Sequence, residues 1–178
     1  MSDFQTVKNK LRSFIIENTS ELLTPSKVFF ATERFTMPEK PYIMITELSN
    51  NEDLGSGRNE PIHENLEITE YKETIFTVAI YGLSETDFEK EKDTFRTELK
   101  NIRNAFKTAM FTHELKKYFT VQSITDLRAL NEENETGFTY RYEIDVRCGY
   151  NEIITSKNST SKGVIIDLEE NNIHIDIK

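Results

Sequence analysis

Residues 137–150 read Gly-Phe-Thr-Tyr-Arg-Tyr-Glu-Ile-Asp-Val-Arg-Cys-Gly-Tyr, and from Phe138 to Cys148 apolar and polar positions alternate without a break. Because successive side chains point to opposite faces of a strand, this pattern predicts a long β-strand with one buried face. The polar face is expected to contact water or another subunit, and its charged residues are Arg141, Glu143, Asp145 and Arg147.

The segment before this strand predicts its antiparallel partner. Residues 119–130 contain strand-forming residue types, and the polar loop 131–136 separates them from residues 137–150. Two such runs joined by a short polar loop are typical of a β-hairpin. We therefore expect these two segments to pair.

A third long strand is expected over residues 66–81, with Gly82 at its end. Phe76, Val78 and Ile80 fall on one face, and the alternate positions are also largely apolar, which favours a central place in the sheet. At about 3.3 Å per residue, a strand of this length spans roughly 50 Å. We expect the ends of this strand and of the strand over residues 137–150 to extend beyond the core and to expose edges that a neighbouring copy covers.

Two segments have the apolar spacing of amphipathic helices. The first should end near Asn18, and the second follows Ser84, which is placed to cap it. Helices with one apolar stripe pack that stripe on the rest of the fold. The apolar positions are Phe4, Val7, Leu11, Phe14 and Ile15 in the first helix, and Phe88, Phe95, Leu99, Ile102, Phe106 and Met110 in the second.

Two shorter strands, over residues 27–32 and 42–48, complete the prediction, with a turn between Pro38 and Pro41. The fold class is therefore α+β. We expect a mostly antiparallel sheet of about four to five strands, packed against an N-terminal helix and one long central helix.

The chain divides into a domain over residues 1–154, a linker over 155–163 and a C-terminal β-hairpin extension over 164–178. The linker has the composition Thr-Ser-Lys-Asn-Ser-Thr-Ser-Lys-Gly, and the extension alternates apolar and polar residues around a turn. An isolated hairpin is marginal in water, so we expect the extension to dock on its own domain or on a neighbour.

Residues 50–65 are polar and rich in turn formers, which predicts a long loop and a contact element. With the charged strand face and the apolar face of the extension, this loop makes up the predicted interface. The candidate interface residues are Arg141, Glu143, Asp145, Arg147, Asp53, Arg58, Ile173, Ile175 and Ile177.

Charge argues against nucleic-acid binding through phosphates. The chain has 31 acidic and 22 basic residues and a formal net charge of -9, whereas binding to the phosphate backbone depends on cations. The sequence contains no apolar run of membrane-spanning length and no signal peptide, so we expect a protein without a membrane partner. The single cysteine, Cys148, cannot form an internal disulfide.

No motif points to catalysis, a metal or a cofactor. The three histidines are not at metal-ligand spacing, Cys148 falls on an apolar strand face, and Gly55-Ser56-Gly57 lacks the lysine of a phosphate loop. Glu143 and Asp145 lie two residues apart on one strand face, as an acid and base pair would. Because arginines flank them, salt bridges to another subunit are the favoured interpretation.

The order of elements resembles the tail terminator and neck terminator proteins of tailed phages. Three stretches carry the likeness: residues 41–46, residues 71–82, which are similar to the strand that leads into the long helix of that family, and residues 121–150. In the last, Ile-Thr-Asp-Leu-Arg at 124–128 precedes Tyr-Arg-Tyr-Glu-Ile-Asp-Val-Arg at 140–147. The resemblance covers residues 3–150 and leaves out the loop 50–65 and the extension 164–178.

The resemblance implies a structural virion protein that is made in the host cytoplasm and forms an oligomeric ring, commonly hexameric, at the phage neck. Such rings cap the tail tube, end its polymerisation and join the tail to the head. The implied partners are other copies of the chain, the tail tube protein and the head-tail connector or adaptor. Genomic DNA would pass through the ring without specific binding.

Two other classes of function remain open on the sequence alone. A small cytosolic binding module, such as a tail-assembly chaperone, would be absent from virions. An enzyme would use Glu143, Asp145 or residues of the loop 50–65, but the sequence has no nucleophile, metal set or phosphate loop to support it.

Overall fold

The computed structural model describes residues 4–20, 23–33, 36–48, 52–53, 58–62, 65–84, 88–130, 132–134 and 137–157. It contains helices α1 and α2 and a sheet of nine strands. The helices are α1 (Phe4–Glu17) and α2 (Phe88–Thr112), and the strands are β1 (Val28–Phe30), β2 (Tyr42–Glu47), β3 (Glu52–Asp53), β4 (Arg58–Ile62), β5 (Asn65–Ser84), β6 (Thr120–Ile124), β7 (Arg128–Ala129), β8 (Glu132–Asn134) and β9 (Gly137–Lys157).

The two predicted helices are confirmed, and most residues of their apolar stripes are buried. In α1 the buried residues of the stripe are Val7, Leu11, Phe14 and Ile15, and Phe4 is partly buried. Beyond the end of α1, the Asn18 side-chain amide donates to the carbonyl of Phe14 at 2.8 Å, so the final turn has a partner for one of its free carbonyls. In α2, the buried residues include Phe95, Leu99, Ile102 and Phe106.

Five strands form the main path of the sheet, in the order β1-β2-β5-β9-β6. β1 lies parallel to β2, and the other neighbours are antiparallel. β5 and β9 are the longest strands and pair along the whole of β5, from Asn65 opposite Lys157 to Ser84 opposite Phe138. The α+β class, the mostly antiparallel sheet and the central position of β5 are confirmed.

The core lies between the helices and one face of the sheet. Phe76, Val78 and Ile80 of β5 and the even-numbered residues of β9 from 140 to 150 enter the same buried cluster as the stripes of α1 and α2. Phe14 of α1 and Phe106 of α2 meet there with ring centroids 4.9 Å apart. Both helices therefore cover the same side of the sheet.

Two predicted loops and one predicted strand differ in the structure. Inside the expected loop 50–65, β3 and β4 pair with β5, and inside the expected loop 131–136, β8 pairs with β9. The expected strand 119–130 is interrupted between β6 and β7, where residues 125–127 are not strand. At that interruption the Thr125 side-chain oxygen accepts the backbone N–H of Asp145 at 2.8 Å, while the Thr125 N–H still donates to the carbonyl of Asp145. A side chain thus takes the place of one backbone acceptor.

β9 continues to Lys157, so the first three residues of the predicted linker, 155–157, belong to the sheet. They pair with residues 65–67 of β5. The linker-like composition of this segment did not indicate that pairing, because it depends on a strand that is distant in sequence. The rest of the linker and the extension 164–178 lie outside the described residues. The division into a domain, a linker and an extension stays a prediction.

The open edges expected at the ends of the two long strands are largely absent from β5, whereas residues 150–157 of β9 have no strand on the side away from β5 within the described residues. On its side away from β9, β5 pairs in succession with β4, β3 and β2. On its side away from β5, β9 pairs with β8, β7 and β6. Short strands of the same chain cover these edges because the chain returns to the two long strands after each connection.

Candidate subunit interface on the outer sheet face

The sheet face opposite α1 and α2, called the outer face below, carries no helix within the described residues. It is formed by the odd-numbered residues of β5 and β9, since Phe76 and Val146, which are register partners, belong to the core. Thr77 lies opposite Asp145 on this face, and Ala79 lies opposite Glu143. The outer face is therefore where the charged residues of the predicted interface lie.

Five side chains at the centre of the outer face form a polar network, called the Arg128 network below. The Arg128 guanidinium lies 2.9 Å from Oε1 of Glu143 and 2.8 Å from Oδ2 of Asp145. The Arg141 guanidinium donates to the other oxygen of Glu143 at 2.7 Å, and the Thr77 hydroxyl donates to Oδ1 of Asp145 at 2.7 Å. Each of the four carboxylate oxygens of Glu143 and Asp145 thus has a donor.

Burial makes these partners necessary. Glu143 is only 6 % exposed, and a buried carboxylate without a partner is costly. Hydrogen bonding to Asp145 is the main cause that raises the pKa of Arg128, the charges of Asp145 and Glu143 act in the same direction, and burial opposes them. The two carboxylates and the two arginines thus satisfy one another within the sheet.

The connection between β6 and β7 positions Arg128. The Thr125 N–H donates to the carbonyl of Asp145 at 3.0 Å, and Arg103 of α2 donates to the Thr125 carbonyl at 2.9 Å. Arg103 also contacts the carboxylate of Asp126. Contacts from the helix layer and from β9 thus fix the connection, and Arg128 enters β7 directly opposite Glu143.

A second polar group lies further along the outer face. The Gln122 side-chain amide donates to Glu73 at 2.5 Å and also contacts the hydroxyl of Tyr71. Arg147 lies 3.8 Å from Glu73, and its side chain is 49 % exposed. A Cβ at Gly149 would overlap the Tyr71 hydroxyl and the Gln122 amide, so the absence of a side chain at this position lets them approach.

At the other end of the outer face, three aromatic rings and an arginine stack in a row. The centroids of Phe29 and Tyr42 are 5.5 Å apart, and those of Tyr42 and Tyr81 are 4.9 Å apart. The Arg141 guanidinium lies 5.5 Å from the centre of the Tyr81 ring, in the geometry of a cation–π contact. Burial raises the pKa of Tyr42, Tyr81 adds to this effect, and Arg141 opposes it.

Arg141, Glu143, Asp145 and Arg147 share one face, as the alternation predicts, but they do not form a free charged surface. Glu143 and Asp145 are bound within the chain, whereas Arg147 makes one long ion-pair contact and is half exposed. Sequence reasoning missed Arg128. Its position in the sequence could have indicated it, because Arg128 ends the stretch 124–128 just before the predicted hairpin, and the hairpin brings it opposite Glu143.

The remaining predicted interface residues lie elsewhere. Asp53 is in β3 opposite Lys72, and Arg58 is in β4 opposite Thr69, so both are strand residues and not loop residues. Ile173, Ile175 and Ile177 lie outside the described residues. An interface role for all nine residues stays a prediction.

Cys148 is fully buried, and burial raises its thiol pKa, which keeps the thiol protonated. Within the described ranges, no group of three or more His, Cys, Asp or Glu side chains is arranged to hold a metal ion. No helix in the described part combines the length and apolarity that a bilayer crossing needs.

Comparison with family models gives a match to the phage neck terminator protein family over residues 5–177. The match includes both the segment 50–65 and nearly all of the extension 164–178, which the sequence resemblance had left out. Comparison with curated proteins gives no match. A match over almost the whole chain shows the family, and the resemblance suggested by the three stretches is confirmed. The chain belongs to the phage neck terminator family, whose members are structural proteins that act where the tail ends and joins the head.

Proposed function

We propose that six copies of this chain close into a ring that caps the tail tube, ends its polymerisation and provides the surface on which the head connector docks. The observation that carries this proposal is the family match over residues 5–177. The proposed partners are identical copies, the tail tube protein and the connector or adaptor, and the proposed location is the neck of the virion.

The outer face supports this proposal as a contact surface. It lacks a covering helix in the described part, and the Arg128 network holds its central side chains in fixed positions. Side chains that are already fixed lose little conformational entropy on binding, which favours association. Arg147 is the residue of this face best placed to form a new ion pair, because it is half exposed and its contact with Glu73 is long.

Light scattering and negative-stain imaging of the purified chain, with and without tail tube protein, test the ring. We expect ring-shaped oligomers in at least one condition, and mass spectrometry should find the chain in purified virions. Compact monomers in both conditions would contradict the ring. Absence from virions would instead support a cytosolic assembly factor.

One substitution tests the role of the outer face in the proposed ring. Arg147→Ala should reduce self-association about tenfold while leaving the fold intact, since the only ion pair that it removes within the described residues is the long contact with Glu73. Lys116→Ala, at another exposed cation, serves as the matched control and should have no effect. Equal association constants for the two variants would remove Arg147 from the interface.

A further inference from the structure

The last residues of β9 have a sheet partner on one side only. Residues 151–157 pair with residues 65–71 of β5 in unbroken register. On the other side, β6 reaches β9 no further than Thr120 opposite Gly149, and no strand in the described part of the chain lies beyond it. The open side of residues 151–157 is called the free edge below.

Contacts nearer the core show which backbone groups point to the free edge. The N–H and the carbonyl of Asp145 both bond to Thr125, on the side of β9 away from β5. The Arg141 carbonyl accepts the N–H of Leu130 on the same side. This direction repeats at every second residue, and the register of β9 against β5 contains no bulge. The N–H groups and carbonyls that point to the free edge are therefore those of Asn151, Ile153, Thr155 and Lys157.

The free edge is suited to accept another strand. A row of unpaired N–H and C=O groups is a template for strand addition, and many native sheets protect such an edge with proline, a bulge or charged residues. Residues 151–157 read Asn-Glu-Ile-Ile-Thr-Ser-Lys, so they contain no proline, and five of the seven are uncharged. The sequence of this edge therefore does little to prevent pairing.

The chain itself supplies a segment for this edge. β9 ends at Lys157, the last residue of the free edge, and 21 residues follow it. Residues 158–163 read Asn-Ser-Thr-Ser-Lys-Gly, which are turn-forming types, and residues 164–168 read Val-Ile-Ile-Asp-Leu, which are mostly strand-forming types. Five residues span about 17 Å at 3.3 Å per residue, which is shorter than the seven-residue free edge.

We propose that residues 164–168 return along the free edge of their own chain and pair antiparallel with residues 153–157 of β9. Residues 158–163 form the connecting loop, so the pairing begins with Val164 opposite Lys157. A loop of six residues has a small closure entropy, and the pairing satisfies backbone groups of both segments. Because the contact lies within one chain, it does not depend on the proposed ring.

The register fixes which positions meet. Thr155 lies opposite Ile166, and the two residues exchange both backbone hydrogen bonds, because the Thr155 backbone points to the free edge. Residues 173–177 alternate apolar and polar types, so after the turn 169–172 they form the next strand outward, with Ile175 opposite Ile166. A hairpin of the same chain thus covers the free edge.

A second copy could offer the same segment to the same backbone groups, but pairing within the chain is favoured. The loop 158–163 holds residues 164–168 next to the free edge, and a short flexible connection gives an effective concentration of roughly millimolar. A segment from another copy reaches the edge only when two chains associate. At concentrations well below millimolar, the segment of the same chain therefore fills the edge first.

Disulfide cross-linking of the full chain at low concentration tests the pairing. Thr155→Cys with Ile166→Cys should form a disulfide within the monomer, because opposite residues of paired strands lie within the Cα distance that a disulfide needs. Thr155→Cys with Ile175→Cys is the matched control, since two strand spacings separate these positions by about 10 Å, which is beyond disulfide reach. The native Cys148 is fully buried and should not compete.

The cross-linked products distinguish the occupants of the edge. A disulfide between Thr155→Cys and Ile166→Cys of different copies would overturn pairing within the chain and assign the edge to a neighbour. No disulfide in either double variant, or equal yields in both, would overturn the pairing as well. If the ring fails to form but the intrachain disulfide appears, the pairing stands and only the proposed function falls.

Hydrogen exchange of the monomer gives a second test without cysteine variants. The amides of Ile153 and Thr155 should be protected, and Ile166→Pro should lower their protection at least about tenfold, because proline removes the N–H that bonds to Thr155. Ile175→Pro should leave that protection unchanged, since the N–H at this position points away from the added strand. Exchange of both amides at the unprotected rate in the unmodified chain would overturn the proposal.

Discussion

Arg128 shows how a single exposed residue can determine the chemistry of a sheet face. It binds Glu143 and Asp145, which lie two residues apart on the same face of β9, and Glu143 is buried. Arg141 binds the second oxygen of Glu143, so the two arginines neutralise the pair between them. A face that looks from its sequence like a set of free charges is therefore largely satisfied within one chain.

Replacing Arg128 tests this account. Arg128→Ala should lower the free energy of unfolding by about 1–2 kcal/mol, because it removes a donor from a buried carboxylate, and the partial exposure of Arg128 limits the loss. Arg147→Ala, whose ion pair is longer, should cost at most about 0.5 kcal/mol. Urea denaturation at neutral pH measures both, and equal losses would contradict the central role of Arg128.

Tyr42 predicts how stability changes at alkaline pH. Its pKa is raised in the folded protein, mainly by burial, so the folded state holds the phenolic proton more tightly than the unfolded state. The associated stability is present below about pH 10, the usual pKa of tyrosine, and is lost as pH rises through the higher folded pKa. Tyr42→Phe removes this dependence, so its free energy of unfolding should fall less between pH 9 and pH 11 than that of the wild type. Parallel profiles from denaturation at several pH values would contradict the prediction.

At the scale of one element, α2 has one face in the core and another exposed. Phe95, Leu99, Ile102 and Phe106 face the core and fix the helix on the sheet. Arg96, Lys100 and Lys107 are exposed and are not part of that cluster. Stability should therefore depend on the first group of residues and not on the second.

Two phenylalanines of α2 test this division. Phe106→Ala should destabilise the fold by about 3–5 kcal/mol, because Phe106 is fully buried and its removal leaves a cavity beside Phe14. Phe111→Ala should change stability by no more than about 0.5 kcal/mol, since its ring is mostly exposed. Thermal or urea denaturation measures both, and a large loss for Phe111→Ala would show that the ring packs within the chain.

At the scale of the whole molecule, β5 and β9 form the central pair on which everything else is assembled. Their register partners extend along the full length of β5, and every other strand except β1 pairs directly with one of them. The helices cover one face of the pair, and the outer face carries the polar groups. Because every other strand is joined to this pair directly or, for β1, through β2, the described part of the chain should unfold as one cooperative unit.

Deletion of residues 158–178 tests where that unit ends. β9 ends at Lys157, so the truncated chain keeps every described element and should unfold in a single transition with near-native stability. We expect its self-association to weaken, because the deletion removes the predicted interface residues Ile173, Ile175 and Ile177. A broadened transition or a large loss of stability would show that the extension belongs to the core of its own chain.

The sequence by itself determined the two helices, the long alternating strand that became β9 and the central β5. In these segments the apolar period matches the period of the structure, and the burial of Phe76, Leu99 and Ile144 follows directly from it. It also determined which residues share a strand face, because alternation does not depend on what lies opposite. The three stretches behind the resemblance lie largely in β2, β5 and β9.

The tertiary structure alone decided which charges are free. Arg128 lies 15 residues from Glu143 along the chain, and their contact depends on the register of β7 against β9. The short strands β3, β4 and β8 also depend on tertiary contacts. Their sequences are polar and show no alternation of apolar and polar residues, and each strand forms by pairing with β5 or β9. Pairing across strands is set by register, and register depends on contacts between segments that are distant in sequence.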